Sequence, residues 1–183
     1  IASYEQGTHM NFSVQEMSYA DFVNKEYIVM AVQSNLRGIP HVMDGLKPST
    51  RKILFACLKR GLRQEIKVAQ LAGYTSEHAA YHHGEASLNG AIVGMAQGFV
   101  GANNIPLLQA NGQFGTRLLG GKDAASPRYI FTHLSSLTER IFHPDDQPLY
   151  TPLTDDGQDI EPAYYLPVVP MLLVNGSSGI GTG

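Results

Sequence analysis

Residues 45–62 read GLKPSTRKILFACLKRGL, and both ends of a helix are written into that stretch. Pro48 suits a first helical turn, where the N–H it lacks would have no partner in any case. Ile53, Leu54, Cys57 and Leu58 recur at helical spacing and make one apolar face, while Gly61 stands where a left-handed residue closes a helix. Arg51, Lys52 and Lys59 put cations on this helix. Before it, residues 19–36 carry a second helical stripe of Phe22, Val23, Ile28, Val29 and Val32, introduced by Ser18 as a cap and Asp21 in the first turn. After it, residues 67–77 read as a short third helix. Residues 84–100 read as a fourth, with the stripe Leu88, Ile92, Met95, Ala96 and Phe99.

Beyond residue 100 the texture changes. Asn111-Gly112 between apolar segments predicts a hairpin, since a type I′ turn demands positive φ at both central residues. Gly120-Gly121 reads as a flexible loop, residues 128–132 as a strand and residues 135–142 as helix. Helices followed by a hairpin is the element order of a winged helix-turn-helix domain, which makes the fold α+β. Residues 143–162, rich in Pro and Asp, read as a connector. Residues 164–174 open another strand unit, and the chain stops in the loop NGSSGIGTG, which predicts a piece of a longer polypeptide.

The chain has 183 residues, 43% of them hydrophobic and 16% charged, enough for a buried core and unlike a disordered adaptor. One cysteine, Cys57, excludes an internal disulfide and suits a reducing compartment. No apolar run approaches the roughly 20 residues of a membrane helix, and the N-terminus lacks a signal pattern. The net charge of −3 argues against a nucleic-acid protein only on average. Residues 37–67 hold eight Lys and Arg against Asp44 and Glu65, a local +6, whereas residues 139–161 hold seven acids against Arg140, a local −6. A basic stretch of that density attracts a polyanion, because salt confines each charge to about 8 Å; the plainer reading is a solvated helix face.

Two places could carry chemistry. His82-His83-Gly84-Glu85 precedes the fourth helix, whose unpaired N–H groups favour an anion, although one histidine could equally serve the loop backbone. Adjacent histidines point apart, which makes a poor metal site. At Arg128-Tyr129 a guanidinium adjoins a phenol; tyrosine is a nucleophile only if helped to lose its proton, and most strand tyrosines merely pack. Asp155-Asp156-Gly157-Gln158-Asp159 lacks the spacing of a cation loop and reads as a solvated turn.

Taken in order, the segments IPHVMDGLKPSTRKIL, KVAQLAG, YHHGEASL, NGQFGTRLLGGKDAASPRYIF and LVNGSSGIGTG resemble the breakage-reunion core of type IIA DNA topoisomerases, over residues 19–183, and YHHG favours the eukaryotic topoisomerase II branch. The resemblance implies a winged-helix cleavage domain over residues 18–142, a connector over residues 1–17, and the beginning of a mixed α/β tower domain over residues 143–183. It implies Tyr129 as the nucleophile that joins a DNA 5′ phosphate, with Arg128 and His83 at that phosphate. Arg37, Lys47, Arg51, Lys52, His82, Lys67 and Gln70 would lie along the DNA, and Ile180 between Gly179 and Gly181 would be a wedge between base pairs; otherwise it is a buried isoleucine in a Gly-rich turn.

No metal ligand is expected in this chain. The family's Mg²⁺ belongs to a Toprim domain and its ATP to an ATPase region, both earlier in the polypeptide. The partners implied are double-stranded DNA, a second copy in a homodimer and those two regions, and the location implied is nuclear. Competing readings are a non-enzymatic winged-helix DNA binder and a small hydrolase using His82 or His83 with Glu85.

Overall fold

The computed structural model describes Tyr4 and residues 13–182, so most of the expected connector over residues 1–17 lies outside the described residues. Contacts divide the chain into two compact units, Ile1–Ile39 with Ser178–Gly183, and Pro40–Ser177. The expected boundary after residue 142 falls inside the second unit.

The first unit is built on a helical run made of α1 (Tyr19–Phe22), a π-helical turn (Val23–Tyr27) and α2 (Ile28–Gly38). Ser18 caps it as expected: its Oγ accepts from the Asp21 N–H at 3.0 Å and donates to the Asp21 carboxylate at 2.7 Å. Among the described residues of this run only Ala31 is buried, and Phe22 and Val23 stay half exposed, so the apolar stripe has no core of its own to face.

The second unit begins with α3 (Pro48–Arg60), which carries Pro48 in its first turn. Gly61 follows with φ 59°. The Leu62 N–H donates to the Cys57 carbonyl and the Gly61 N–H to that of Leu58, both at 3.0 Å, which is a Schellman closure. A two-residue strand, β1 (Ile66–Lys67), leads directly into α4 (Val68–His78), and α5 (Glu85–Ala96) packs on both α3 and α4. Ile53, Leu54 and Cys57 from α3, Val68 and Leu71 from α4, and Leu88 and Ile92 from α5 are essentially inaccessible and form one core with Leu108 and Ile130.

The sheet that covers this core differs from the expected hairpin. Strand β2 (Phe131–Thr132) pairs antiparallel with β1, Lys67 opposite Phe131, while Asn111 and Leu108 bridge to Phe131 and Leu134 on the other side. The partners of residues 108–111 therefore come from some twenty positions later rather than across Asn111-Gly112. Asn111 is not among the residues with positive φ, so no type I′ turn forms there. That turn occurs at Asp156-Gly157, φ 47° and 78°, which joins β3 (Pro152–Asp155) to β4 (Gln158–Pro162). The expected connector over residues 143–162 thus holds a 3-10 helix (Pro144–Leu149) and then this hairpin.

Four further expectations are corrected. Gly120-Gly121 is a tied loop rather than a flexible one, held by the Gly121 N–H on the Thr116 carbonyl at 2.9 Å and by Gln97, whose Nε2 donates to the Gly121 carbonyl at 3.4 Å as well as to the Phe114 carbonyl at 2.8 Å. Residues 128–129 lie in a turn, and only Phe131–Thr132 are strand, because the preceding carbonyls are turned towards α4. The helix expected over residues 135–142 is present as the single turn α6 (Thr138–Ile141). Residues 164–174, by contrast, end in a helical turn, α7 (Met171–Val174), behind Pro170, and contribute no strand. The α+β class stands.

The entrance to α3 is fixed by a buried carboxylate. Asp44 has no exposure, and its two oxygens accept four hydrogen bonds: from Arg51 Nε at 2.7 Å, from Arg51 Nη2 at 3.0 Å, from the Leu46 N–H at 2.9 Å and from the Tyr165 N–H at 2.9 Å. Arg51, itself 5% exposed, also donates to the Leu46 carbonyl at 2.8 Å. Truncating either partner strands a buried charge, so Asp44→Ala and Arg51→Ala are each expected to lose about 3–5 kcal/mol in urea unfolding; a loss near that of an exposed pair would contradict this role. Burial also pushes the Cys57 thiol up to about 12. An unfolded chain releases that proton near the ordinary thiol value, so stability holds at neutral pH and falls as pH rises from about 9 towards 12. Cys57 is expected to react with a water-soluble disulfide reagent only at the rate of unfolding, and prompt labelling of the folded protein would contradict it.

Candidate nucleic-acid interface

Tyr129 sits on a turn whose backbone is held from both sides. Its N–H donates to the Ser126 carbonyl at 2.9 Å. The opening N–H groups of α4, which have no partner inside the helix, are satisfied by the same loop: Val68 donates to the Ile130 carbonyl and Ala69 to the Pro127 carbonyl, both at 3.1 Å. The carbonyls flanking Arg128-Tyr129 therefore cap α4, and the two side chains project outward. Tyr129 is 76% exposed and Arg128 is exposed as well, and among the described residues neither has a polar partner. Two other tyrosines contrast with it. Burial pushes the phenols of Tyr165 and Tyr150 above the ordinary tyrosine value, and the Tyr150 oxygen accepts from the Leu166 N–H at 3.3 Å.

Lys67 and Gln70 are exposed at the start of α4, and Lys67 pairs through its backbone with Phe131, two positions after Tyr129. The same loop carries Arg117 and Lys122, exposed cations that sequence reasoning passed over although they fall between the Asn-Gly pair and Arg128. It is braced by the Thr116 N–H, which donates to Asp123 Oδ1 at 2.8 Å and holds that carboxyl below its ordinary value. Lys47 is half-buried before the first turn of α3, and its ammonium has no partner among the described residues.

Two of the expected DNA contacts are spoken for. Arg51 is committed to Asp44, and Lys52 donates to the Ala79 carbonyl and, at 2.9 Å, to the nearly inaccessible Glu161. Both cations are engaged internally, and leaving those pairs for a phosphate would strand a buried carboxylate. Arg63 is likewise paired with Glu139, at 3.1 Å, so acids of the −6 segment neutralise cations of the +6 segment. The partners Asp44, Glu161 and Glu139 were not legible as such; an acid inside a basic run, as at Asp44, was the one signal.

The two histidines diverge. His82, 72% exposed on its side chain, places Nε2 2.7 Å from Asp155 Oδ2 on β3, and His83 lies edge-on to the Tyr81 ring with centroids 5.3 Å apart. His83 is exposed just before Gly84, the N-cap of α5, with no hydrogen-bond partner among the described residues. Among the described residues no hydrogen bond, ion pair or ring contact joins it to Arg128 or Tyr129. A cleft of about 1320 Å³ opens elsewhere, lined by Phe55, Leu58, Phe142, Tyr150, Ile160 and Tyr165 among others. Neither this cleft nor a smaller polar one at Gln97 and Arg117 includes His82, His83, Glu85 or Tyr129. Among the described residues no three His, Cys, Asp or Glu side chains converge to hold a metal. No helix among the described residues is long and apolar enough to cross a membrane.

In the first unit Ile180 is 90% exposed, contrary to a buried isoleucine. Its loop is clamped on α2: Asn35 Oδ1 accepts from the Thr182 N–H at 2.6 Å, and Asn35 Nδ2 donates to the Thr182 carbonyl at 3.0 Å. Arg37, exposed and without a partner among the described residues, is in the last turn of that helix. The glycines serve closeness rather than a special φ. A Cβ on Gly181 would stand 3.1 Å from Ile39 Cδ1, and one on Gly38 would stand 2.6 Å from the Ile180 carbonyl oxygen.

Comparison with known proteins finds relatives over most or all of the chain. The family model that describes the A subunits of DNA gyrase and topoisomerase IV matches residues 37–183. The chain is 57% identical over its whole length to DNA topoisomerase 2 of Candida albicans and 55% identical to that of Saccharomyces cerevisiae, spanning 12% and 13% of the length of those relatives. A solved structure from Plasmodium falciparum, described as a topoisomerase II DNA-binding, cleavage and re-ligation domain, superposes with a TM-score of 0.87 at 53% identity, covering 98% of this chain and 25% of that one. The resemblance to the eukaryotic branch is met, and the chain belongs to the family of DNA gyrase and topoisomerase IV A subunits.

Proposed function

We propose that this chain is the DNA-gate part of a type IIA topoisomerase, with Tyr129 as the nucleophile that opens a duplex. What carries the reading is the Tyr129 turn: a phenol without a polar partner among the described residues, exposed on a backbone that α4 holds still. A nucleophile for a substrate as large as a duplex has to stand proud of the surface, and fixing its backbone beforehand lowers the entropic cost of alignment. Tyr129 Oη attacks a backbone phosphorus and forms a tyrosyl ester to the 5′ phosphate. The bond to the 3′ oxygen breaks, and the phenolic proton leaves to solvent or a base as that oxygen becomes a 3′ hydroxyl. One phosphate diester is exchanged for another, so the reverse attack reseals the strand.

Arg128 beside the phenol supplies a guanidinium for the phosphate oxygens, whose charge grows in the transition state. His83 is assigned to the same phosphate or to the phenolic proton, and binding DNA would have to bring it there. Lys47, Lys67 and Arg37 with Gln70 are the phosphate contacts in this reading, and Arg51 and Lys52 are internal struts. Ile180 is the wedge. An apolar tip that unstacks one base step costs a few kcal/mol, recovered through contact with the bent duplex. We read α3, α4, α5 and the small sheet as a winged helix, and residues 143–177 as leading towards a tower domain. A second copy cuts the other strand. Divalent metal and ATP are assigned to Toprim and ATPase regions of the same polypeptide, in the nucleus, and no step is assigned to them here.

In the polypeptide that carries those regions, Tyr129→Phe is expected to abolish covalent DNA adducts trapped by denaturant while changing duplex affinity less than about twofold; adducts that persist would give the role to another residue. Lys47→Ala and Lys67→Ala should weaken binding to every duplex sequence and lower the slope of log affinity against log salt by about 1 each. An effect confined to one sequence would contradict phosphate contact. Ile180→Ala should reduce the DNA bend seen by end-to-end fluorescence transfer, and an unchanged bend would remove the wedge.

A further inference from the structure

The hairpin Pro152–Pro162 reaches back to the loop that bears the two histidines. Asp155 Oδ2 lies 2.7 Å from His82 Nε2, Gln158 Nε2 donates to the His78 carbonyl at 3.4 Å, and Glu161 holds Lys52, which donates to the Ala79 carbonyl. Between those anchors Ala80 takes φ 46°, a left-handed conformation that a residue with a Cβ keeps only where its surroundings impose it. The next residue is fixed at three points: the Tyr81 N–H on the Ser76 carbonyl at 3.2 Å, Ser76 Oγ on the Tyr81 carbonyl at 3.1 Å, and the Tyr81 hydroxyl on Ser87 Oγ at 3.1 Å. His83 has no hydrogen bond among the described residues, only the edge of Tyr81, so its place is set by what precedes it.

We propose that Asp155 is a positioning residue for His83, acting through His82, and that the hairpin is the strut which keeps the two-histidine loop in register for DNA cleavage. The inference rests on the reading of His83 and Tyr129 as the cleavage site, and it changes the role of His82. A carboxylate 2.7 Å from Nε2 already occupies that ring nitrogen and repels a phosphate approaching it. His82 is therefore a link between hairpin and loop rather than a contact to the DNA backbone. Both side chains are partly solvated, so removing the pair costs little global stability. What it costs is alignment, and a small misplacement of a group at a reacting phosphate lowers the rate far more than the affinity.

The test uses the full polypeptide at saturating duplex. Asp155→Ala and His82→Ala are each expected to slow formation of the Tyr129 adduct by roughly tenfold or more with duplex affinity and salt slope unchanged. The double variant should be no slower than either single one, and Asp155→Asn, which keeps an acceptor for the Nε2 proton, should recover most of the rate. Hydrogen exchange over residues 79–84 reads the strut independently of the chemistry and should accelerate in Asp155→Ala and His82→Ala but not in Asp155→Asn. Unchanged exchange in all variants overturns the proposal whatever the adduct assay gives. So does an affinity loss in His82→Ala that Asp155→Ala does not share, since that would make His82 a DNA contact. Adducts that survive Tyr129→Phe, with exchange altered as expected, would instead overturn the cleavage reading and leave the strut standing.

Discussion

A carboxylate with no access to water holds this molecule's second unit in order. Asp44 exchanges its hydration for four hydrogen bonds, and the groups that supply them come from the loop before α3, from α3 itself and from Tyr165, more than a hundred residues on. A buried charge is tolerable only when satisfied to this degree. Satisfying it fixes where α3 begins, and the core fixes α4 against α3. The first N–H groups of α4 then hold the carbonyls on either side of Arg128-Tyr129. The position of the one exposed phenol that the proposed function depends on thus traces back, through packed helices, to a carboxylate that never meets the substrate.

Charge follows the same logic. The +6 and −6 segments of the sequence fold against one another, and Lys52–Glu161 and Arg63–Glu139 spend cations on internal pairing, as Asp44 does with Arg51. What remains without an acidic partner is a thinner set that includes Lys47 and Lys67 with Arg117, Lys122 and Arg128 in one unit, where Lys59 and Arg60 lie over the rings of Phe55 and Tyr74, and Arg37 in the other. A basic stretch counted from the sequence overstates the field it offers, because the count cannot know which acids arrive from later in the chain.

The helices were legible because their signals are local. Ser18 with Asp21, Pro48 and Gly61 act on the backbone within a few residues, and the stripes Ile53-Leu54-Cys57 and Leu88-Ile92-Met95-Ala96 repeat at the helical period. The sheet was not legible, since its pairing of residues 66–67 and 108–111 with 131–134 is non-local. The Asn-Gly signal at residue 111 was outcompeted by Phe131, whereas Asp156-Gly157, with nothing else to pair its flanks, made the tight turn. Within the candidate site, the residue types and their order pointed to Tyr129, Arg128, His83 and Ile180. Exposure placed Tyr129 and Ile180 on the surface, while internal pairing engages Arg51 through Asp44, an acid already visible inside the basic run, and Lys52 through Glu161, far along the chain.

The central claim is that the bond to DNA forms at Tyr129, and the sequence offers a clean way to read it. Trypsin would release residues 129–140, YIFTHLSSLTER, a peptide in which Tyr129 is the only tyrosine. Adduct trapped by denaturant, digested with nuclease and trypsin and fragmented in a mass spectrometer, is predicted to carry its nucleotide remnant on this peptide at the phenolic oxygen. A remnant on another tyrosine, or on a serine or threonine of the same peptide, would contradict the account.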